Sequence, residues 1–205
     1  MLRLASRYLV LLTTALFVVL ASTPCAGSTE DDDASLRVTI SELAHDDSAV
    51  RAEALDRLTQ LTDSRIGAIL VHFKESSLFL WQEGLVLCPK MEKDAAGNSI
   101  APLLDVLTGD PITAEDGSPR VVPKSELTDV FVRRPHLRAL QNAIRVHELF
   151  TDDLGKRLSA VQRLGMSNNT DFIEPLERVL KADNPARVHY AAEEGIAILR
   201  LSESE

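Results

Sequence analysis

Five histidines, His45, His72, His136, His147 and His189, are the side chains best suited to hold a metal or move a proton in this chain. Their spacing does not bring them together. The nearest two on one expected helix, His136 and His147, are 11 residues apart, which puts them about 16 Å apart along a helix axis. Asp46-Asp47 and Asp152-Asp153 are paired carboxylates of the kind acid–base chemistry uses, but each pair stands before an expected helix, where capping explains it. The H-E-x-x-H, C-x-x-C, G-x-S-x-G and phosphate-loop patterns do not occur. The sequence therefore offers no catalytic residue, no metal site and no cofactor site.

Recognition chemistry is better represented. Arg133, Arg134 and Arg138 form a basic cluster in an acidic chain. They either pair with an acidic partner surface or with carboxylates of the segment over residues 77–132, or simply solvate a helix start. Trp81, beside Leu78 and Leu80, is either a docking residue or part of a local core. These four residues, Trp81, Arg133, Arg134 and Arg138, are the candidate partner-binding set.

Composition limits what could position them. The 205 residues are 45% hydrophobic, 26% charged and 4% aromatic. A core poor in aromatics must be built from Leu, Ala, Val and Ile, which favours helix packed on helix. The formal charge of -9 argues against a nucleic-acid or anionic-membrane partner.

The N-terminus reads as a secretory signal peptide over residues 1–27. Arg3 and Arg7 give it a positive start, Leu9 to Leu20 an apolar run, and Ala21, Ser22, Ala26 and Gly27 small residues at its end. A retained anchor is the alternative, although the run is short against the roughly 20 residues of a membrane span. Either way the remainder is expected to be exported, to a periplasmic or other extracytoplasmic location, with membrane association through a partner or an uncleaved signal. Removing the signal leaves Cys88 alone, expected as a buried small hydrophobe with no disulfide to make. Residues 28–35, with Glu30 and Asp31 to Asp33, read as an acidic linker.

Three segments then repeat. Asp47, Asp153 and Asp183 each stand four residues before an arginine, Arg51, Arg157 and Arg187. The first two are also followed by Ala at the seventh position (Ala54, Ala160) and Leu at the eleventh (Leu58, Leu164). The third carries its alanine one residue later. Asp153 and Asp183 are 30 residues apart, a period that suits a helical pair. The aspartate, or its neighbour, caps a helix and the small alanine lets the next helix approach. Partner helices run from Arg65 to about Phe73 and from Phe172 to Leu180, with Ile66, Ile69, Leu70 and Phe73, or Ile173, Leu176 and Leu180, on one face. The pattern resembles HEAT-like repeats, in which each repeat buries its apolar stripe only against its neighbours.

Between the helical regions, short apolar runs at Leu78–Trp81, Gly84–Cys88, Leu103–Leu107 and Asp129–Val132 are separated by Gly, Pro, Asp and Asn, and read as strands. The expected architecture is mainly α: residues 36–76 and 133–202 form HEAT-like solenoid helices, with a small β-rich insert over residues 77–132 between them.

The order of these features resembles the N-terminal extracytoplasmic region of the urea ABC transporter permease, the branched-chain-amino-acid-type subunit. The resemblance covers about Leu36 to Leu201. It rests on the signal peptide, the helical pairs, the element Asp105-Val106-Leu107-Thr108-Gly109-Asp110-Pro111, and the segment Arg133-Arg134-Pro135-His136-Leu137-Arg138-Ala139-Leu140-Gln141-Asn142-Ala143. That family carries a multi-span permease domain after this region, and no comparable apolar run follows Leu20 here.

The resemblance thus implies a non-catalytic interaction module for assembly or docking in a urea uptake system, and no pore or urea-binding residue. Its expected partner is an extracytoplasmic protein, either the permease core or the urea-binding protein, met through Ser77 to Val132 and the arginine cluster. The alternatives are a secreted HEAT-repeat scaffold for an unrelated protein and, in a different class, a lyase-like HEAT module.

Overall fold

A computed structural model describes residues 30–82 and 84–203. The signal peptide expected over residues 1–27 lies outside the described residues. The fold is mainly helical with a small antiparallel sheet region.

Three helices open it: α1 (Glu30–Ser41), α2 (Ser48–Gln60) and α3 (Ser64–Lys74). Residues 30–35, expected to be a linker, instead form the first turns of α1. Leu36 and Ile40 anchor that helix in the core, and the acidic residues before them sit at its N-terminus, where the helix dipole favours negative charge. Asp47 caps α2 by accepting from the Ala49 amide, and Asp63 caps α3 by accepting from Arg65.

Seven short strands follow: β1 (Leu78–Trp81), β2 (Gly84–Leu87), β3 (Glu92–Lys93), β4 (Ser99–Pro102), β5 (Leu104–Asp105), β6 (Val121–Pro123) and β7 (Thr128–Asp129). They make two antiparallel sheets, ordered β5-β2-β1-β7 and β3-β4-β6. The runs at Leu103–Leu107 and Asp129–Val132 are shorter as strands than expected. The cause in the first is Asp105, whose Oδ1 accepts from the Leu107 and Thr108 amides and folds the chain into a turn. Gly109 completes that turn with a φ of 72° and donates to the Asp105 carbonyl.

The four-stranded sheet is a wall shared by two cores. Leu78, Leu80, Leu85, Leu87 and Leu104 face the first three helices, while Phe79, Trp81, Val86 and Cys88 face the second sheet. This is strand alternation with both faces buried. Val106 and Leu107 join the helical core, and Leu103 joins the sheet core. The β region is thus welded to the helices.

Four more α-helices follow among the described residues: α4 (Leu137–His147), α5 (Leu154–Gly165), α6 (Ile173–Lys181) and α7 (Ala186–Ser202). Leu140 and Ala143 of α4 pack into the first core, and Val146 into the core formed by α5, α6 and α7, so α4 ties the two together. Asp153 caps α5 through the Gly155 and Lys156 amides. Asp183 makes no such cap. There α7 starts behind Pro185, whose fixed φ readies the chain for the helix.

Gly165 and Gly195 are where α5 and α7 meet. A Cβ on Gly165 would lie 2.5 Å from the Gly195 Cα.

Candidate interaction surface

The segment after β7 keeps a strand-like alternation. Val130 is buried and Val132 packs on the helical core, while Phe131 points outward and is 56% exposed. Arg133 is extended, and Arg134–His136 form a 3-10 turn around Pro135, so α4 begins at Leu137 and not at Arg133. Pro135 lacks an N–H and its fixed φ suits a first helical turn, so the helical run starts at Arg134, just ahead of it, as a 3-10 turn. His136 turns inward and its Nε2 lies 2.8 Å from the Ser48 hydroxyl, fastening this turn to the start of α2.

Helix α4 is strongly two-faced. Leu140, Ala143, Val146 and His147 are buried, whereas Arg138, Gln141 and Arg145 lie outward at helical spacing. Among the described residues, Arg133, Arg134, Arg138 and Arg145 are exposed and their side chains form no ion pair or hydrogen bond. Leu137, 42% exposed, sits among them. The result is a basic strip with two apolar side chains, carried by a net-acidic protein.

Trp81 lies elsewhere. It is half-buried at the end of β1, packs on the sheet core, and has the Arg120 guanidinium 5.5 Å from its ring centroid. No hydrogen bond, ion pair or ring contact joins it to the arginines among the described residues. Of the four sequence candidates, Arg133 and Arg134 lie at the turn before α4, Arg138 in its first turn, and Trp81 on β1 against Arg120.

Arg51, marked in the sequence only by its spacing after Asp47, is a buried arginine of α2. It is 6% exposed, and its Nε and Nη2 have no hydrogen-bond partner. Burial holds its pKa below the usual arginine value. Arg133 adds to that lowering, while Asp46 and Asp47 oppose it.

The histidines sit on separate elements, although His72 and His147 share one cleft. His147 is buried; its Nε2 donates to the Leu58 carbonyl at 2.9 Å, and its Nδ1 has no partner. His45 Nδ1 accepts from the Asp47 amide, and His189 Nε2 contacts the Ala182 carbonyl. His72 lines a cleft of about 330 Å³ with Gly67, Ile144 and His147. Among the described residues, no group of three or more His, Cys, Asp or Glu side chains could hold a metal ion. Cys88 is enclosed in the sheet core, where burial pushes its pKa up to about 11. No helix among the described residues is long and apolar enough to cross a membrane.

One feature escaped the sequence reading although the sequence contained its signal. Gly165 and Gly195 each stand twelve residues after Asp153 and Asp183, so their recurrence marks a helix crossing. Arg157 sends Nε and Nη2 to the Thr151 carbonyl and Nη1 to Asn184, the neighbour of Asp183 in the next repeat.

Compared with protein families, curated proteins and solved structures, the chain matches none of them.

Proposed function

We propose that this chain is an exported, non-catalytic protein-interaction module of HEAT-like helical repeats that docks an acidic surface of a urea ABC uptake system. The observation that carries the docking is the set Arg133, Arg134, Arg138 and Arg145. These four exposed cations have no ion pair among the described residues, in a chain of formal charge -9. Unpaired positive charge concentrated on one face of an acidic protein favours encounter with a negative surface, and Phe131 and Leu137 supply apolar contact beside it.

The repeat reading draws support from Asp47 and Asp153 capping equivalent helices and from the glycine crossing of α5 and α7. The urea context rests on the resemblance of the element order and of the Asp105–Pro111 and Arg133–Ala143 segments to the urea permease family. The partner is then the permease core or the urea-binding protein.

Excising residues 96–119 to test this would remove Leu103, Val106 and Leu107, all buried in the two adjoining cores. Point changes are cleaner. Reversing Arg133, Arg134 and Arg138 together to Glu is expected to abolish capture of purified urea-binding protein or permease while leaving the helical signal intact. Unchanged capture of a partner that the native chain binds would defeat the docking reading. Saturable heat on titrating urea into the chain would defeat its non-binding part.

A further inference from the structure

Helix α7 buries one face and leaves an apolar row on the other. Val188, Ala192, Ile196 and Leu199 pack into the C-terminal core at helical spacing. On the outer side Tyr190, Ala197 and Leu201 fall in line, seven and then four residues apart, and Tyr190 and Leu201 are each 71% exposed. Ile198, 36% exposed, borders them. One exposed leucine needs no explanation, but an apolar row along three turns of a single helix marks an interaction face.

Charge says what covers it. Arg187 stands three residues before Tyr190, and Glu203 two residues after Leu201. Both are exposed, and neither forms an ion pair among the described residues. An antiparallel pairing of two such helices that sets Tyr190 of one copy on Leu201 of the other therefore brings each Arg187 within one residue of the facing Glu203. Two-fold symmetry makes that pair twice. The same register sets Glu194 against the small Ala197, so like charges are not opposed at the centre. A parallel pairing would stack Arg187 on Arg187 and Glu194 on Glu194, which is unfavourable. The row spans about 16 Å along the helix, so a contact confined to it is smaller than a permanent interface and forms reversibly.

We propose that α7 is a self-association face, on which a second copy of this chain docks antiparallel through Tyr190 and Leu201, with Arg187 paired to Glu203 of that copy. The face lies on a different helix from the arginine strip of α4, so the proposal goes beyond the docking reading and does not depend on it.

Sedimentation equilibrium of the purified chain from micromolar to millimolar concentration is expected to show monomer passing to dimer. Leu201→Glu and Arg187→Glu are each expected to raise the dimer dissociation constant at least about tenfold, and Arg187→Glu combined with Glu203→Arg to return it to within about threefold of the native value. All three positions are exposed, and both charge changes suit the helix dipole, so the swapped chain keeps its fold, which circular dichroism checks. A native chain that stays monomeric throughout, or a dimer that Leu201→Glu leaves intact, would overturn the proposal. Weakening by Arg187→Glu that the charge swap does not recover would overturn the antiparallel pairing. A monomeric native chain whose capture of the urea-binding protein is lost in Leu201→Glu would give the face to that protein instead.

Discussion

His147 donates its Nε2–H to the carbonyl of Leu58 at 2.9 Å, joining residues 89 positions apart in the chain. The next two carbonyls of α2 are also held from afar: Arg178 Nη1 donates to Thr59 at 3.0 Å and to Gln60 at 2.9 Å. The last carbonyls of a helix have no intrahelical partner. Here α4 and α6 supply them, so the end of α2 is a clasp between the N-terminal and C-terminal helices.

The clasp gives stability a pH dependence. A carbonyl can only accept, so His147 Nε2 carries the proton, and Nδ1 is an enclosed atom without a partner. Burial, the largest effect, and the Arg178 charge hold the His147 pKa below 6.5, outweighing the Leu58 hydrogen bond. The unfolded chain therefore takes up a proton first as pH falls. This contribution to stability is fully present above about pH 6.5 and is lost below it, at up to about 1.4 kcal/mol per pH unit, until the folded pKa is reached. Denaturant titrations between pH 7.5 and 5 should show that slope, and His147→Gln should flatten it. An equal slope in the variant would contradict the assignment.

Arg178→Ala should cost about 2 to 4 kcal/mol, because it uncaps two carbonyls held by a charged donor. Its Nε also lies 3.3 Å from Glu174, but without hydrogen-bond geometry, so that contact is an ion pair only. Chemical denaturation reads the loss. A cost below 1 kcal/mol would mean that the clasp is a surface contact.

Gly165→Ala should destabilise by about 2 kcal/mol or more. Alanine normally gains about 1 kcal/mol over glycine within a helix, but here its methyl would meet the Gly195 backbone at 2.5 Å and force α5 from α7. A neutral or stabilising result would show that the helices can part without cost.

The β region has its own keystone. Asp105 accepts from two amides in its turn and pairs with Arg37 of α1 at 2.8 Å. Burial pushes its carboxyl up, but the Thr108 and Leu107 amides and Arg37 outweigh that and hold it below the usual carboxylate range. Its stabilising effect is present above about pH 4 and lost as pH falls further. Asp105→Ala should cost about 2 kcal/mol at neutral pH, read by thermal unfolding, with a smaller difference from the native chain near pH 3.

What the sequence exposed follows from what is local. Asp47 and Asp153 were legible as caps because capping is decided within three residues. The runs at Leu78–Trp81 and Gly84–Cys88 were legible as strands, because their apolar runs end at turn residues. The sharing of that sheet between two cores was not legible, since continuous apolar runs do not say what lies on either face. The clasp was hidden for a related reason: His147 and Arg178 act on carbonyls about 90 and 118 residues away, where no spacing rule reaches. The arginine cluster stood out by charge alone. Arg51 did not, because burial is a tertiary property.

The central claim is that Arg133, Arg134 and Arg138 dock an acidic extracytoplasmic partner. The most direct measurement is the dissociation constant of the chain with purified urea-binding protein, and separately with the urea permease, against salt concentration. The native chain should bind one of them at low salt and weaken steeply as salt rises. The variant with all three arginines changed to Glu should not bind at any salt. Binding of equal strength by both chains, or native binding indifferent to salt, would contradict the account.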